Sequence, residues 1–220
     1  MWRSIKRLLQ PKRCWPPTPK SLMSIHEYLE KHLPASKAHA IVDYLQEYKC
    51  LLKITKPRKT KRGDFRQNGR ELSISVNHDD NSYRFLFTLV HEIAHLKTFH
   101  LHRNKVKPHG EEWKSNFKNL FYHFQMEEEF GKDEAVFKVV AYELENPKAC
   151  SGVNITLEKA FSLHDEMEGL YLEEVQEGQL FNFREQVYQK LETRRSRVLC
   201  LNVANNRKYT INKAALVRLS

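Results

Sequence analysis

Several things are missing from this 220-residue sequence. No stretch is apolar over the roughly 20 residues that a membrane-spanning helix needs. The first residues, Met1 to Arg13, are basic but have no apolar centre and no small-residue cleavage site, so they do not read as a secretory signal. The four cysteines, at 14, 50, 150 and 200, form no C-x-x-C pair and no tight framework. They read as reduced thiols of a cytoplasmic protein without disulfides. No internal repeat is present. Acidic residues are the scarcer charge, 27 against 37 Lys and Arg, giving a formal net charge of +10. At 40% hydrophobic the chain can bury a core, and its length suits one sizeable domain with a smaller one.

What is present centres on His91-Glu92-Ile93-Ala94-His95, inside a helical, apolar run from Tyr83 to Phe99. Helical residues four apart lie about 40° apart around the axis and roughly 6 Å apart along it. Two imidazoles so spaced can converge on one metal ion, and the Glu beside the first can reach a water there. Taking His91 as zero, Leu86, Leu89, Ile93 and Leu96 fall at roughly 140–220°. The histidine edge is therefore expected to point away from the core and into a cleft. The pentapeptide alone is weak, because a surface helix with two solvated histidines would read the same.

A hydrolytic zinc site needs a third protein ligand and one open position. His102 shares the angular face of His91 but lies roughly 10 Å beyond His95 along the axis. His100 points elsewhere. His109 follows a polar, basic turn, Arg103 to Pro108, and is expected to open a second helix with an inner stripe of Trp113, Phe117, Leu120, Phe121 and Phe124. A helical hairpin would bring His109 back to the first helix, and Pro108 would stiffen the approach. His109 is thus the expected third ligand. Glu127, Glu128 and Glu129 are a competing source of a carboxylate ligand, with no supporting motif around them.

His91-Glu92-x-x-His95, thirteen residues, then His109-Gly110-x-x-Trp113-Lys114 resembles the SprT-like (Spartan-type) zinc metallopeptidase family. Gly63-Asp64-Phe65-Arg66 and a strand from Glu71 to Asn77 also sit where that family has them. The resemblance is specific from about Leu45 to Phe124. The metzincin extension fits worse, since Thr98 and Leu101 stand where it needs Gly and His. The resemblance implies an α+β fold with a zincin-like minidomain and bound Zn2+. It implies His91, His95 and His109 as ligands, Glu92 as catalytic base, and a protein substrate. In zincin folds the sheet edge beside the metal helix holds an extended substrate, and the polar-faced strand at 71–77 is expected to be that edge.

Along the chain, residues 1–20 carry prolines at 11, 16, 17 and 19 and read as a basic tail or linker. Residues 21–130 are the expected metallopeptidase core. Two amphipathic helices open it, about 21–32 and 36–48, with Ser21 and Ser36 as N-caps and Pro34 between. Cys50 to Lys56 reads as a strand, and Pro57 to Arg66 as a basic connection. Glu71 to Asn77 alternates, with Leu72, Ile74 and Val76 on one face. Residues 131–168 are expected to hold two connecting helices, about 133–144 and 157–167. From 169 the pattern turns to six short strands, at 170–175, 179–183, 186–191, 197–203, 208–211 and 216–219. These make a small β module, ribbon-like but without the paired cysteines of a zinc ribbon, and hence expected without zinc.

Residues 180–220 hold nine Lys or Arg against two Glu, while 165–178 hold six acids and no Lys or Arg. Arg194, Arg195 and Arg197 share one turn, with Tyr188 and Tyr209 expected nearby, as in a nucleic-acid surface. The resemblance favours DNA as a further partner, since eukaryotic members act on proteins crosslinked to DNA. Two functions therefore compete. One is a zinc endopeptidase; the other is a nucleic-acid-binding module with a structural or silent zinc. Glu92 favours the first, because a structural site takes four protein ligands and has no use for a base.

Overall fold

The computed structural model describes residues 24–58, 60–145, 154–165 and 169–220. The Pro-rich segment 1–20 and Ser21 lie outside the described residues. So does the end of the helix expected to reach Met167. No helix among the described residues is long and apolar enough to cross a membrane.

The fold is α+β, with two hydrophobic cores. The larger one runs from Tyr28 to Phe161. Helix α1, Ile25–Glu30, is capped by Ser24 rather than Ser21. The Ser24 hydroxyl accepts from the Glu27 N–H, and the Glu27 carboxylate accepts from the Ser24 N–H, closing a capping box. Helix α2, Ala35–Glu47, starts directly after Pro34 with no side-chain cap, so Ser36 lies inside its first turn. Its inner face buries Ile41 and Leu45, with Tyr44 and Tyr48 half-buried beside them.

Three strands follow: β1, Cys50–Thr55; β2, Gly63–Asn68; and β3, Glu71–Asn77. The expected alternation in β3 holds, with Ile74 and Val76 buried. Its position corrects one expectation. The order is β1-β3-β2, with β1 parallel and β2 antiparallel to β3. β3 is therefore central, both of its sides are taken, and it cannot receive a further strand. The edge beside the metal-site helix is β2, which sequence patterning missed because Gly63-Asp64-Phe65-Arg66-Gln67-Asn68 has no apolar alternation. A two-residue hairpin, Gly69-Arg70, joins β2 to β3, with Gly69 at φ +58°. That conformation is cheap only for glycine, and Asn68-Gly69 is the one local signal that announces the turn.

Helix α3, Ser82–His102, is buried on nearly every side from Arg84 to Ala94. Its histidine edge, expected to point away from the core into a cleft, is partly covered by neighbouring elements, with His91 buried and His95 half-buried. β2 and β3 pack along it, as do helices α4, Glu111–His123, and α7, Ile155–Ser162. Helices α5, Met126–Phe130, and α6, Glu134–Glu145, complete this body. Trp113, Phe117, Phe121, Phe130 and Phe161 are fully buried, so the stripe expected on the second helix is core. Phe124 and Leu120 join it.

Each strand expected after residue 169 is present: β4, Leu170–Tyr171; β5, Leu180–Phe183; β6, Gln186–Thr193; β7, Arg197–Asn202; β8, Lys208–Asn212; and β9, Leu216–Leu219. They form one antiparallel sheet in the order β4-β9-β5-β6-β7-β8. Its core is Leu172, Val175, Phe181, Tyr188, Val198, Cys200, Ile211 and Val217. β4 is shorter than expected because residues 172–175 turn inward. That turn closes over Lys190, a buried cation whose ammonium donates to the carbonyls of Leu172, Glu173 and Val175 at 3.1, 3.0 and 2.6 Å. An ammonium has three donors and these three acceptors meet them all.

Candidate metal centre

α3 brings the first two ring nitrogens into place. Its start is fixed by Asn81, whose side chain accepts from the Arg84 N–H and donates to Phe161 O and Asp165. Arg84 is buried and meets Glu158 at 2.8 Å and Asp165 at 2.6 Å, so α3 is pinned to α7 by paired charges. Glu158 also pairs with Arg62, in the connection that leads into β2. That connection is fixed again by Arg58, which donates to Asn77 Oδ1 at 2.7 Å and Ser75 Oγ at 3.0 Å.

The third histidine arrives on the turn between α3 and α4. α3 ends at Arg103 with φ 55°, and His109 has φ 59°. His109 does not open a helix; it stands two residues ahead of Glu111, with Gly110 as the N-cap. A left-handed histidine is uncommon and marks a residue held by its surroundings. Here Trp113 supplies them, with its ring 4.6 Å from those of both His91 and His109. Asn116 donates to Thr98 Oγ1 at 2.9 Å and ties the two helices at this level.

The result is convergence. His91 Nε2 lies 3.1 Å from His109 Nε2 and 3.3 Å from His95 Nε2. Bonds of 2.0–2.1 Å from a tetrahedral zinc would set nitrogen pairs about 3.3 Å apart, so the donor set fits that ion. Burial holds all three imidazoles below their ordinary pKa, reinforced at His91 and His95 by the neighbouring rings; His95 falls to about 4 and His91 well down. Neutral rings keep their lone pairs for a metal near pH 7. The competing ligands are elsewhere. Glu128 and Glu129 bind Lys37 at 2.7 and 2.8 Å, and Glu127 is not among the residues that converge with the histidines. His102 is likewise outside the cluster, and His100 packs edge-on against Tyr48.

Glu92 is buried beside this cluster. Burial pushes its carboxyl up to about 7, opposed by a hydrogen bond from the Phe65 backbone on β2. Gly63, also on β2, lies so close that a Cβ there would overlap the Glu92 carboxylate. The sequence did not reveal that contact, although a glycine inside a strand commonly marks close approach. Beyond the histidines opens a cleft of about 270 Å³, lined by Phe65, His95, Phe99, Lys107 and His109 among others.

Residues 37–130 match the SprT-like family. The SprT-like segment thus spans α2 through α5 and contains all three histidines and Glu92. Comparison with curated proteins and with solved structures finds no match.

The other residues singled out from sequence sit in the β module. Arg194 and Arg195 form the exposed β6–β7 turn and Arg197 begins β7. Arg194 pairs with Glu192 at 3.3 Å. Tyr188 is not beside them. It lies at the far end of the hairpin, opposite Asn202, and is buried in the core. Tyr209 is exposed but is level with Cys200, three residues from the β7 start.

Two outcomes are expected. Purified protein should carry about one tightly held zinc, lost in His91→Ala, His95→Ala and His109→Ala and kept in His102→Ala. Metal analysis showing zinc lost from His102→Ala and kept in His109→Ala would reverse the third-ligand assignment. In metal-free protein, Glu92 has a folded pKa near 7 and an ordinary value of 4.5. The folded state then binds more protons between those values, so this group's contribution to stability falls as pH rises through the window. Glu92→Gln lacks that penalty. It should match wild type near pH 4.5 and exceed it by up to about 3 kcal/mol above pH 7. Urea unfolding with chelator across this range measures the gap; a constant difference refutes it.

Proposed function

We propose that this chain is a zinc-dependent endopeptidase of the HExxH type, with a zincin-like core, acting in the cytoplasm on proteins associated with or crosslinked to DNA. The observation that carries the reading is three imidazole nitrogens aimed at one point, with a buried carboxylate beside them and a cleft alongside. His91, His95 and His109 would hold and orient a Zn2+ ion, which would supply Lewis acidity to a scissile carbonyl and to the attacking water. Glu92 takes a proton from the water as its oxygen forms the new bond to the carbonyl carbon. It then gives that proton to the leaving amine as the C–N bond breaks.

β2 is the strand that would receive substrate. It is the sheet edge beside α3, and an extended peptide laid along it would pass the histidine cluster. Glu92→Gln keeps the size and hydrogen bonding of the side chain but cannot take a proton. It should retain zinc and lose peptidase activity by about 10²- to 10⁴-fold. Cleavage of a loosely folded protein, with and without DNA, is the assay. Equal cleavage by Glu92→Gln would assign the activity to another group or a contaminant. No cleavage by wild type under any condition would favour a nucleic-acid-binding module with silent zinc.

DNA binding is assigned to the β6–β7 turn. Arg194, Arg195 and Arg197 are exposed on one tip, where Arg194 would exchange Glu192 for a phosphate. Since Tyr188 is buried, base stacking by that ring does not contribute. Affinity for DNA should fall steeply with salt, and changing all three arginines to Ala should flatten the slope of log K against log salt by about 2–3. A triple variant with the wild-type slope would remove this turn from the interface.

A further inference from the structure

We propose that His26, Glu30 and His39 form a second metal site, one that takes a transition-metal dication such as Zn2+ and clips α1 to α2. Each of the three offers a ligand atom within 4.8 Å of the others'. His26 and Glu30 stand four apart on α1, with His26 Nδ1 3.3 Å from Glu30 Oε1. His39 faces them from α2, and its ring centroid is only 3.8 Å from that of His26. An ion held by both rings would part them toward the 5.1 Å seen between the His91 and His109 rings.

Two further observations point to a ligand. His39 Nδ1 lies 2.7 Å from Ala35 O and donates to it, which fixes the tautomer and leaves Nε2 with a free lone pair. A histidine that ligates a metal commonly spends its other N–H on a backbone carbonyl in this way. His26 Nε2, in turn, is buried without a hydrogen-bond partner. A cation shared with His39 Nε2 would meet it, with the exposed Glu30 carboxylate turning from His26 Nδ1 to reach the same ion.

The donor set selects the ion. Two imidazoles and one carboxylate suit zinc, copper, nickel or cobalt, whereas magnesium and calcium prefer all-oxygen sites. Partial exposure leaves room for water on the remaining positions: the side chains of His26 and Glu30 are 29% and 40% accessible. The site has nothing to do with the His91 cluster chemically, but it reaches that helix mechanically. On the other side of α1, Tyr28 and His32 pack on Phe85 of α3 at 5.2 and 4.5 Å. His32 also bonds Ser82 at 2.9 Å.

The test titrates full-length protein, already carrying its first zinc, with zinc chloride in a calorimeter. Wild type should take up one further equivalent, and thermal melting should rise with it. His39→Ala should take up none and should melt like wild type when no zinc is added, because the side chain is exposed. Glu30→Gln, also at an exposed position, should weaken the second equivalent about 10- to 100-fold. A triple His91, His95 and His109 to Ala variant should keep the second site while losing the first. The proposal is overturned if wild type takes up no further zinc, or if His39→Ala and Glu30→Gln both take it up as wild type does.

Discussion

A helix as deeply buried as α3 is from Arg84 to Ala94 has to find a partner for each polar group it carries. This is the constraint on which the molecule depends. α3 satisfies it differently at each level. Near its start Arg84 is met by Glu158, Asp165 and Asp79. One turn on, Thr88 bonds back to Arg84 O, and further along Thr98 accepts from Asn116. Between them, Glu92 takes the Phe65 amide. His91 and His95 are left with one another and His109 as partners for Nε2. Three like-natured nitrogens cannot all satisfy one another, so the cluster makes physical sense as a cradle for a cation.

The scaffold that aims these groups extends past the SprT-like segment. Glu158 and Asp165 lie outside residues 37–130, yet they hold Arg84 on the metal helix. Glu158 also holds Arg62, which leads straight into Gly63 and β2. One carboxylate on α7 thus serves both the helix that carries the histidines and the strand beside Glu92. Buried charges of this kind contribute little net stability compared with apolar contacts. Their effect is positional, because the guanidinium geometry admits few arrangements.

Much of this was legible in the sequence, for reasons that differ by element. The six strands of the β module could be read because alternation and turn residues are local signals. His109 could be found because a hairpin between two helices constrains where its turn must return. The failures share another cause, since they concern which neighbour covers a residue. The cover that Trp113 and β2 lay over α3 was not read, because it comes from elsewhere in the chain. β2 was invisible because its polar residues face outward, and only Asn68-Gly69 marks it. β3 was mistaken for an edge because pairing order is not written in a strand's own alternation. Tyr188 was placed beside the arginine turn by proximity in sequence, whereas strand rise carries it roughly 20 Å away along the hairpin.

The approach of Gly63 to Glu92 has a consequence for how this architecture can change. The metal cradle and the proton acceptor rest on separate supports: the histidines on α3, α4 and the turn between them, the space for the carboxylate on a missing side chain across the gap. A single methyl group at position 63 would meet the Glu92 side chain and none of the three imidazoles among its nearest neighbours. On the function proposed above, loss of hydrolysis and loss of metal binding would be separable by one codon, and a descendant that kept the ion but lost the base would hold its target without cutting it.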